Sequence, residues 1–231
     1  MAHEQATIVR FLSGTIRITP QEVVRYLAGT RYKKGPRLHR LLSATIKQAI
    51  HLTSPVLIYA LNGVKTLDHQ GKLTLKNGRC LKLPPMERHP NTRYLVSCVC
   101  SLGPTLETTC RRLSRRGHVL EAMLLDAAGV SLLNALANKS HEQLCQQALE
   151  MQLYAGCLFG PGYGDMPIET QSLLFQLVDA DAIQVVLNES LVMQPMKSLS
   201  FFVRLAKSEG PNGPTSKCRH CNLKHCQFRA I

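Results

Sequence analysis

The 231-residue chain has no tryptophan, and only 5% of its residues are aromatic. Its core must therefore be built from Leu, Val, Ile and Ala, and few rings are available for stacking on bases. That scarcity argues against a single-strand nucleic-acid binder. Acidic residues are few as well: 15 Asp and Glu face 28 Lys and Arg, a net charge of +13. Such a balance favours an acidic partner, a phosphate-bearing ligand or nucleic acid. No uninterrupted run approaches the roughly 18 apolar residues that a bilayer span requires. The N-terminus, Met1-Ala2-His3-Glu4-Gln5, places an acid where a signal peptide would be basic and then apolar. The expectation is a cytoplasmic protein with no membrane partner.

What is present suffices for one large domain with an appendage, since 45% of the residues are hydrophobic. Basic residues gather in three places: Arg31 to Arg40, Arg111 to Arg116, and the C-terminal tail. Nine cysteines without a signal peptide indicate thiol or metal chemistry, not a disulfide scaffold. Six of them, Cys80, Cys98, Cys100, Cys110, Cys145 and Cys157, lie in apolar or helical contexts and read as packing residues.

Thr19-Pro20-Gln21-Glu22 is a capping-box helix start, with a stop at Gly29. After a turn at Lys33-Lys34-Gly35-Pro36, Leu38, Leu41, Leu42, Ile46 and Ile50 recur at helical spacing. Residues 56–64 read as a strand, followed by a hairpin with Asn77-Gly78 at its tip. A three-residue loop, 77–79, would pair Leu75 with Leu81 and Leu73 with Leu83 on one core face. Residues 94–102 are the clearest strand, with Cys98 and Cys100 on one face. A helix from Pro104 closes at Gly117, and a long apolar helical face begins at Val119; with or without a break near Asn138-Lys139-Ser140, helix resumes through Leu144, Ala148 and Met151. A helix follows Pro167. Residues 183–187 and 198–205 read as strands. Helices and strands mix without regular alternation, so the fold class is α+β: a single domain with a mainly antiparallel sheet, packed helices and a long central helix, plus a short Cys-rich tail. The expected division is 1–207 for the domain, 208–216 for a flexible linker and 217–231 for the tail.

The densest local signal is Gly160-Pro161-Gly162-Tyr163-Gly164-Asp165. Three glycines and a proline break both helix and sheet, and they leave backbone groups open around one ring. The second chemical feature is Cys218-x2-Cys221-x4-Cys226, with His220 and His225 nearby. Thiolates at this spacing suit a zinc ion or an iron–sulfur cluster, and the fourth ligand stays open between His220, His225 and a more distant thiol such as Cys157.

Three motifs occur in order: Leu125-Asp126-Ala127-Ala128-Gly129, the Gly160–Asp165 loop with Pro167 and Gln171, and Leu187-Asn188-Glu189-Ser190 through Met193, Pro195, Lys197, Ser198 and Ser200. Together they resemble the activation (reactivation) domain of cobalamin-dependent methionine synthase, in particular its short stand-alone relatives, some of which end in a similar three-cysteine tail. The resemblance spans residues 15–205. It implies an S-adenosylmethionine site in which Gly160, Pro161, Gly162 and Tyr163 line the donor, while a partner carries the cobalamin. It also implies reductive methylation of that cobalamin, with no catalytic residue of the chain's own. Two departures stand out. Leu158 occupies the place of a family arginine able to clamp a carboxylate, and Asn134 and Asn138 replace a glutamate and an aspartate. Losing a charged contact in a desolvated site costs about 2–5 kcal/mol. The implied function is an accessory protein of corrinoid methyl transfer, with a corrinoid methionine synthase or methyltransferase as partner and an electron-donor protein as a further one. The alternative is an iron–sulfur redox carrier on a scaffold that no longer binds S-adenosylmethionine.

Overall fold

The computed structural model describes residues 6–27, 35–164 and 166–209, with Arg37 and Met86 as backbone only. In chain order the elements are β1 (Thr7–Arg10), α1 (Pro20–Arg25), α2 (Pro36–His51), β2 (Val56–Leu67), β3 (Lys72–Leu75), β4 (Cys80–Lys82), β5 (Thr92–Ser101), α3 (Thr105–Arg115), α4 (Val119–Glu150), β6 (Tyr154–Phe159), α5 (Thr170–Leu177), β7 (Val186–Leu187), β8 (Met193–Gln194) and β9 (Ser198–Ala206). The main sheet runs β4-β3-β2-β5-β9-β6, and β1 pairs with the first half of β2. Every pairing is antiparallel, so the α+β, mainly antiparallel expectation is met.

Alternation along the strands divides the core between the two faces of the sheet. Leu57, Tyr59, Val96, Cys98, Cys100, Phe201 and Val203 face α4, where Leu124, Leu125, Ala128, Leu132 and Leu136 cover them. Val56, Ile58, Leu95, Val99 and Phe202 face the other way, under Leu174 and Leu177 of α5. The small residues of α4 permit close packing. A Cβ on Gly129 would stand 2.8 Å from Leu106 Cδ2 and 3.1 Å from Lys197 Cε. Helix α4 is continuous over 32 residues; by length and composition it is long and apolar enough to cross a membrane, and half of its most apolar window is buried against the rest of the domain. A helix that covers a sheet has that pattern.

Most of the expected elements form. Thr19 and Glu22 complete the capping box: Thr19 Oγ1 accepts from Glu22 N at 3.3 Å, and Thr19 N donates to Glu22 Oε2 at 2.6 Å. The stop at Gly29 and the lysines of the following turn lie outside the described residues. Gly117 ends the α3 segment with φ +82°.

The differences have local causes. The hairpin loop is three residues long but covers 76–78, with Gly78 at φ +85°, so Leu73 pairs with Leu81 and Leu75 N reaches Arg79 O at 2.8 Å. That register is shifted from the expected pairing, yet the leucines still share the buried face. Cys80 is exposed on β4 and is not a packing residue; Cys98, Cys100 and Cys157 are buried. The strand expected over 183–187 is reduced to the two residues of β7. Ala180–Ile183 forms a 3-10 turn, and Gln184 closes it in the left-handed region at φ +59°.

Strand β6 carries no clear sequence signature. The chain leaves α4 through Gln152, a non-glycine at φ +57°, so no glycine marks the stop. The pairing of β6 with β9 is broken between Ala155 and Leu158, which erases the alternation. The bulge serves a buried ion pair. Arg204 and Glu87 are 1% and 3% exposed, and Arg204 Nε donates to Glu87 Oε2 at 3.3 Å. A Cβ on Gly156 would lie 2.8 Å from that carboxylate oxygen and 2.9 Å from Arg204 Nη2. Burial pushes the Glu87 carboxyl up to about 7, outweighing the pull of Arg204. Among the described residues, Arg204 Nη1 finds no acceptor.

Candidate functional site

Strand β6 aims the chain into the glycine loop. Phe159 pairs with Phe202 of β9, their ring centroids 5.8 Å apart. The next residue must be glycine, because a Cβ at Gly160 would sit 2.8 Å from Ser200 O and 3.3 Å from Phe201 Cα. Backbone bonds then fold the loop on itself. Tyr163 N donates to Gly160 O at 3.1 Å, Gly162 N to Met166 O at 3.0 Å and Met166 N to Tyr163 O at 3.2 Å. Gly162 and Gly164 take φ +79° and +57°, conformations open to glycine at little cost. Pro161 and Met166 are buried, while the Tyr163 side chain points outward and is 64% exposed.

Gln171, buried in the first turn of α5, fastens this loop to the rest of the fold. Its Nε2 donates to Leu191 O at 2.7 Å, and its Oε1 accepts from Ser200 Oγ at 3.0 Å. The polar elbow beyond β7 is also stapled: Asn188 Oδ1 accepts from Ser190 N at 3.0 Å and Val192 N at 2.9 Å. Between loop and elbow lies a cavity of about 240 Å³, lined in part by Pro161, Tyr163, Gln171, Leu191, Met196 and Ser200. The structure thus brings Pro161 and Tyr163 to one cavity. Gly160 lies beneath it on β9, and exposed Gly162 carries the turn.

Tyr26, at the end of α1, was not singled out by the sequence, because its role depends on an approach 108 positions distant. Asn134 Nδ2 donates to its hydroxyl at 2.8 Å. Burial pushes the Tyr26 phenol up against the opposing pull of Arg25. A groove of about 330 Å³ opens here, bordered by Arg17, Glu22, Arg25, Tyr26, Asn134 and Asn138. It carries charges of both signs. Leu158 is half-buried in β6, opposite Val203, and packs against the α4-side core. At that position the chain has no cation.

A third concavity, about 530 Å³, lies between α3 and α4, where Tyr26, Cys110, Met123, Asp126, Val130 and Met196 are among its walls. Both acids there are occupied. Lys197 Nζ donates to Asp126 at 2.6 Å, and Met196 N donates to Glu107 Oε2 at 2.7 Å. Burial pushes the Cys110 thiol up to about 11, which keeps it neutral and unreactive at ordinary pH.

Cys218, Cys221 and Cys226, with His220, His225 and Asp165, lie outside the described residues. Among the described residues no cluster of three His, Cys, Asp or Glu forms that could hold a metal ion. Cys157, the distant thiol considered as a fourth ligand, is only 3% exposed.

No protein-family profile matches the chain, and no curated protein matches it in sequence. Its structure is similar to the crystal structure of the MetH reactivation domain bound to AdoHcy, with a TM-score of 0.67 at 12% sequence identity, covering 90% of this chain and 81% of that one. At this identity the likeness speaks for architecture: the chain has the fold of the MetH reactivation domain.

Proposed function

We propose that the chain is an accessory component of corrinoid methyl transfer that binds S-adenosylmethionine and presents it to a cobalamin held by a partner methionine synthase or related methyltransferase, in the cytoplasm. The observation that carries this reading is the outward Tyr163 ring beside a cavity, on a glycine loop that its own backbone bonds hold in shape. Gly160 and Gly162 shape the turn that brings Pro161 and Tyr163 to the cavity, and Tyr163 supplies a face for the adenine or the sulfonium cation. The cavity alone, at about 240 Å³, is below the roughly 300–1,000 Å³ of ordinary ligand sites. The ligand therefore extends toward the Tyr26–Asn134 groove, where Arg17, Arg25 and Glu22 offer both charges that an amino-acid head requires. When bound, the donor supplies the methyl group; the chain's own residues bind and orient it.

Calorimetry of the full chain with S-adenosylmethionine and S-adenosylhomocysteine tests the reading. Binding weakened at least tenfold by Tyr163→Ala is the expected result. No heat at millimolar ligand overturns it.

A second reading is favoured by one observation, the apolar packing of Leu158 where a carboxylate clamp would be needed. On it, the domain is a scaffold, and Cys218, Cys221 and Cys226 hold an iron–sulfur cluster or zinc, making the chain a redox carrier. Anaerobic purification decides: thiolate-bound iron absorbs near about 400 nm, whereas colourless protein with stoichiometric zinc excludes a carrier role.

A further inference from the structure

One face of the sheet has no task in the reading above. The second half of β2 continues into β3 and β4 as a three-stranded antiparallel ribbon. Its two faces differ. Leu73, Leu75 and Leu81 are at most 7% exposed and belong to the core under α5. The opposite face carries Lys72, Thr74, Cys80 and Lys82, and the register sets Lys72 directly against Lys82 and Thr74 against Cys80. Thr66 pairs with Thr74 and joins them. Lys76 completes this face. Its amide donates to Gly63 O at 2.8 Å, and a Cβ on Gly63 would lie 2.8 Å from Lys76 Cδ, so the lysine stem rests in the space that the glycine leaves. The three lysines therefore share one face, and all three are exposed.

Their charge is not answered within the fold. Like charges directly opposed on neighbouring strands stand about 5 Å apart at Cβ and destabilise the pair. A lysine on an edge strand such as β4 can guard against strand addition, but Lys72 lies on the inner strand β3 and Lys76 just past its end. The ion pairs among the described residues include none of the three. Asp68, the one acid of the ribbon, turns Oδ1 into its own turn, where it accepts from Gln70 N at 2.9 Å and Lys72 N at 2.8 Å. Arg79 leaves the face to donate to Gln176 Oε1 of α5.

From this arrangement we infer that the outer face of the β2–β3–β4 ribbon binds the phosphate backbone of a nucleic-acid double helix without reading its sequence. Lysine ammonium groups and threonine hydroxyls are both ordinary phosphate partners. A protein partner fits less well: interfaces are enriched in aromatic residues, Met and Arg and depleted in Lys, and this face presents only the last. A single strand needs rings on which to stack its bases, and none stands among these residues. A bilayer surface draws on clusters of about four to eight cations or on apolar side chains that insert; this face has three cations and no such apolar group. The inference stands on the ribbon alone and holds whether or not S-adenosylmethionine binds.

The test uses the full chain and a fluorescent DNA duplex of about 20 base pairs, two helical turns. Three neutralised phosphates contribute about −2.7 to the slope of log affinity against log salt. Lys72→Gln/Lys76→Gln/Lys82→Gln changes exposed side chains only. It is expected to lose at least tenfold in affinity at about 50 mM salt and to flatten the slope by about 2.7. Arg112→Gln/Arg115→Gln/Arg116→Gln on α3 is expected to stay within twofold of the wild type. A footprint on the wild-type chain needs no variant: saturating duplex should slow alkylation of Cys80, which shares the face, at least fivefold, and about 1 M salt should restore it. Equal losses from the two triple variants would assign the binding to bulk charge and overturn the proposal. So would no binding at the lower salt, an unprotected Cys80, a polyglutamate peptide that competes as well as unlabelled duplex, or preferential co-sedimentation with phosphatidylglycerol vesicles.

Discussion

The three glycines of the 160–164 loop should respond to alanine for three different reasons, and the differences can be measured. At Gly160 the obstacle is steric. The new Cβ would lie 2.8 Å from Ser200 O and 3.3 Å from Phe201 Cα, both backbone atoms of a central strand. Neither can rotate away, so the loop must lift off β9, with an expected cost of about 1–3 kcal/mol. At Gly164 nothing lies within 4 Å of the Cβ, and only the φ of +57° matters. A left-handed alanine costs about 1–2 kcal/mol, partly offset by about 0.4–1 kcal/mol of lost unfolded-chain entropy. Gly162 combines a φ of +79° with Ile168 Cδ1 at 3.2 Å, the movable end of an exposed side chain. The expected order of damage is Gly160, then Gly162, then Gly164. A 2 kcal/mol loss corresponds to a fall in Tm of about 4–8 °C for a domain of this size. Calorimetric unfolding of the three variants, with exposed Gly14→Ala as control, gives the answer. A Gly160→Ala protein that melts with the wild type, or above Gly164→Ala, would refute the claim that the loop is seated directly on β9.

Other expectations follow from the same geometry. Gln171→Ala removes two hydrogen bonds between loop, elbow and β9 and should cost about 1–3 kcal/mol in urea unfolding. Glu87 titrates near 7 when folded and near 4.5 otherwise, so the folded protein holds its proton more tightly than the unfolded chain. Its contribution to stability is full below about pH 4.5 and falls by about 3 kcal/mol as pH rises through 7. His89, whose pKa burial lowers, slopes the opposite way, so the comparison is wild type against Glu87→Gln, which should lack only the Glu87 component. Alkylation followed by peptide mapping should find exposed Cys80 modified well before Cys100 and Cys110, whose thiols burial lifts to about 12 and 11.

Features whose physics is local were legible in the sequence. The capping box at Thr19, the helical spacing of the apolar residues of α4 and the short apolar run of β5 bounded by Gly103-Pro104 are each written within one element. The glycine loop was legible as a break because its composition allows nothing else. What escaped depends on distant partners. Strand β6 is an edge strand whose alternation is interrupted for the sake of the Glu87–Arg204 pair, and only the fold brings those residues together. Gln184 and Gln152 adopt left-handed conformations without being glycine, so neither turn could be anticipated. Tyr26 becomes part of the site only because α1 packs on α4. Leu158 and Asn134 stand out in the sequence as departures from the family pattern; the structure adds that Leu158 is committed to packing and that Asn134 is committed to Tyr26.

The most direct test of the proposed site is a titration of the isotope-labelled full chain with S-adenosylhomocysteine. Saturable shifts at Gly160, Gly162, Tyr163 and Tyr26, abolished by Tyr163→Ala, are the predicted result. Unmoved signals at millimolar ligand, or shifts that spare the glycine loop, would contradict it.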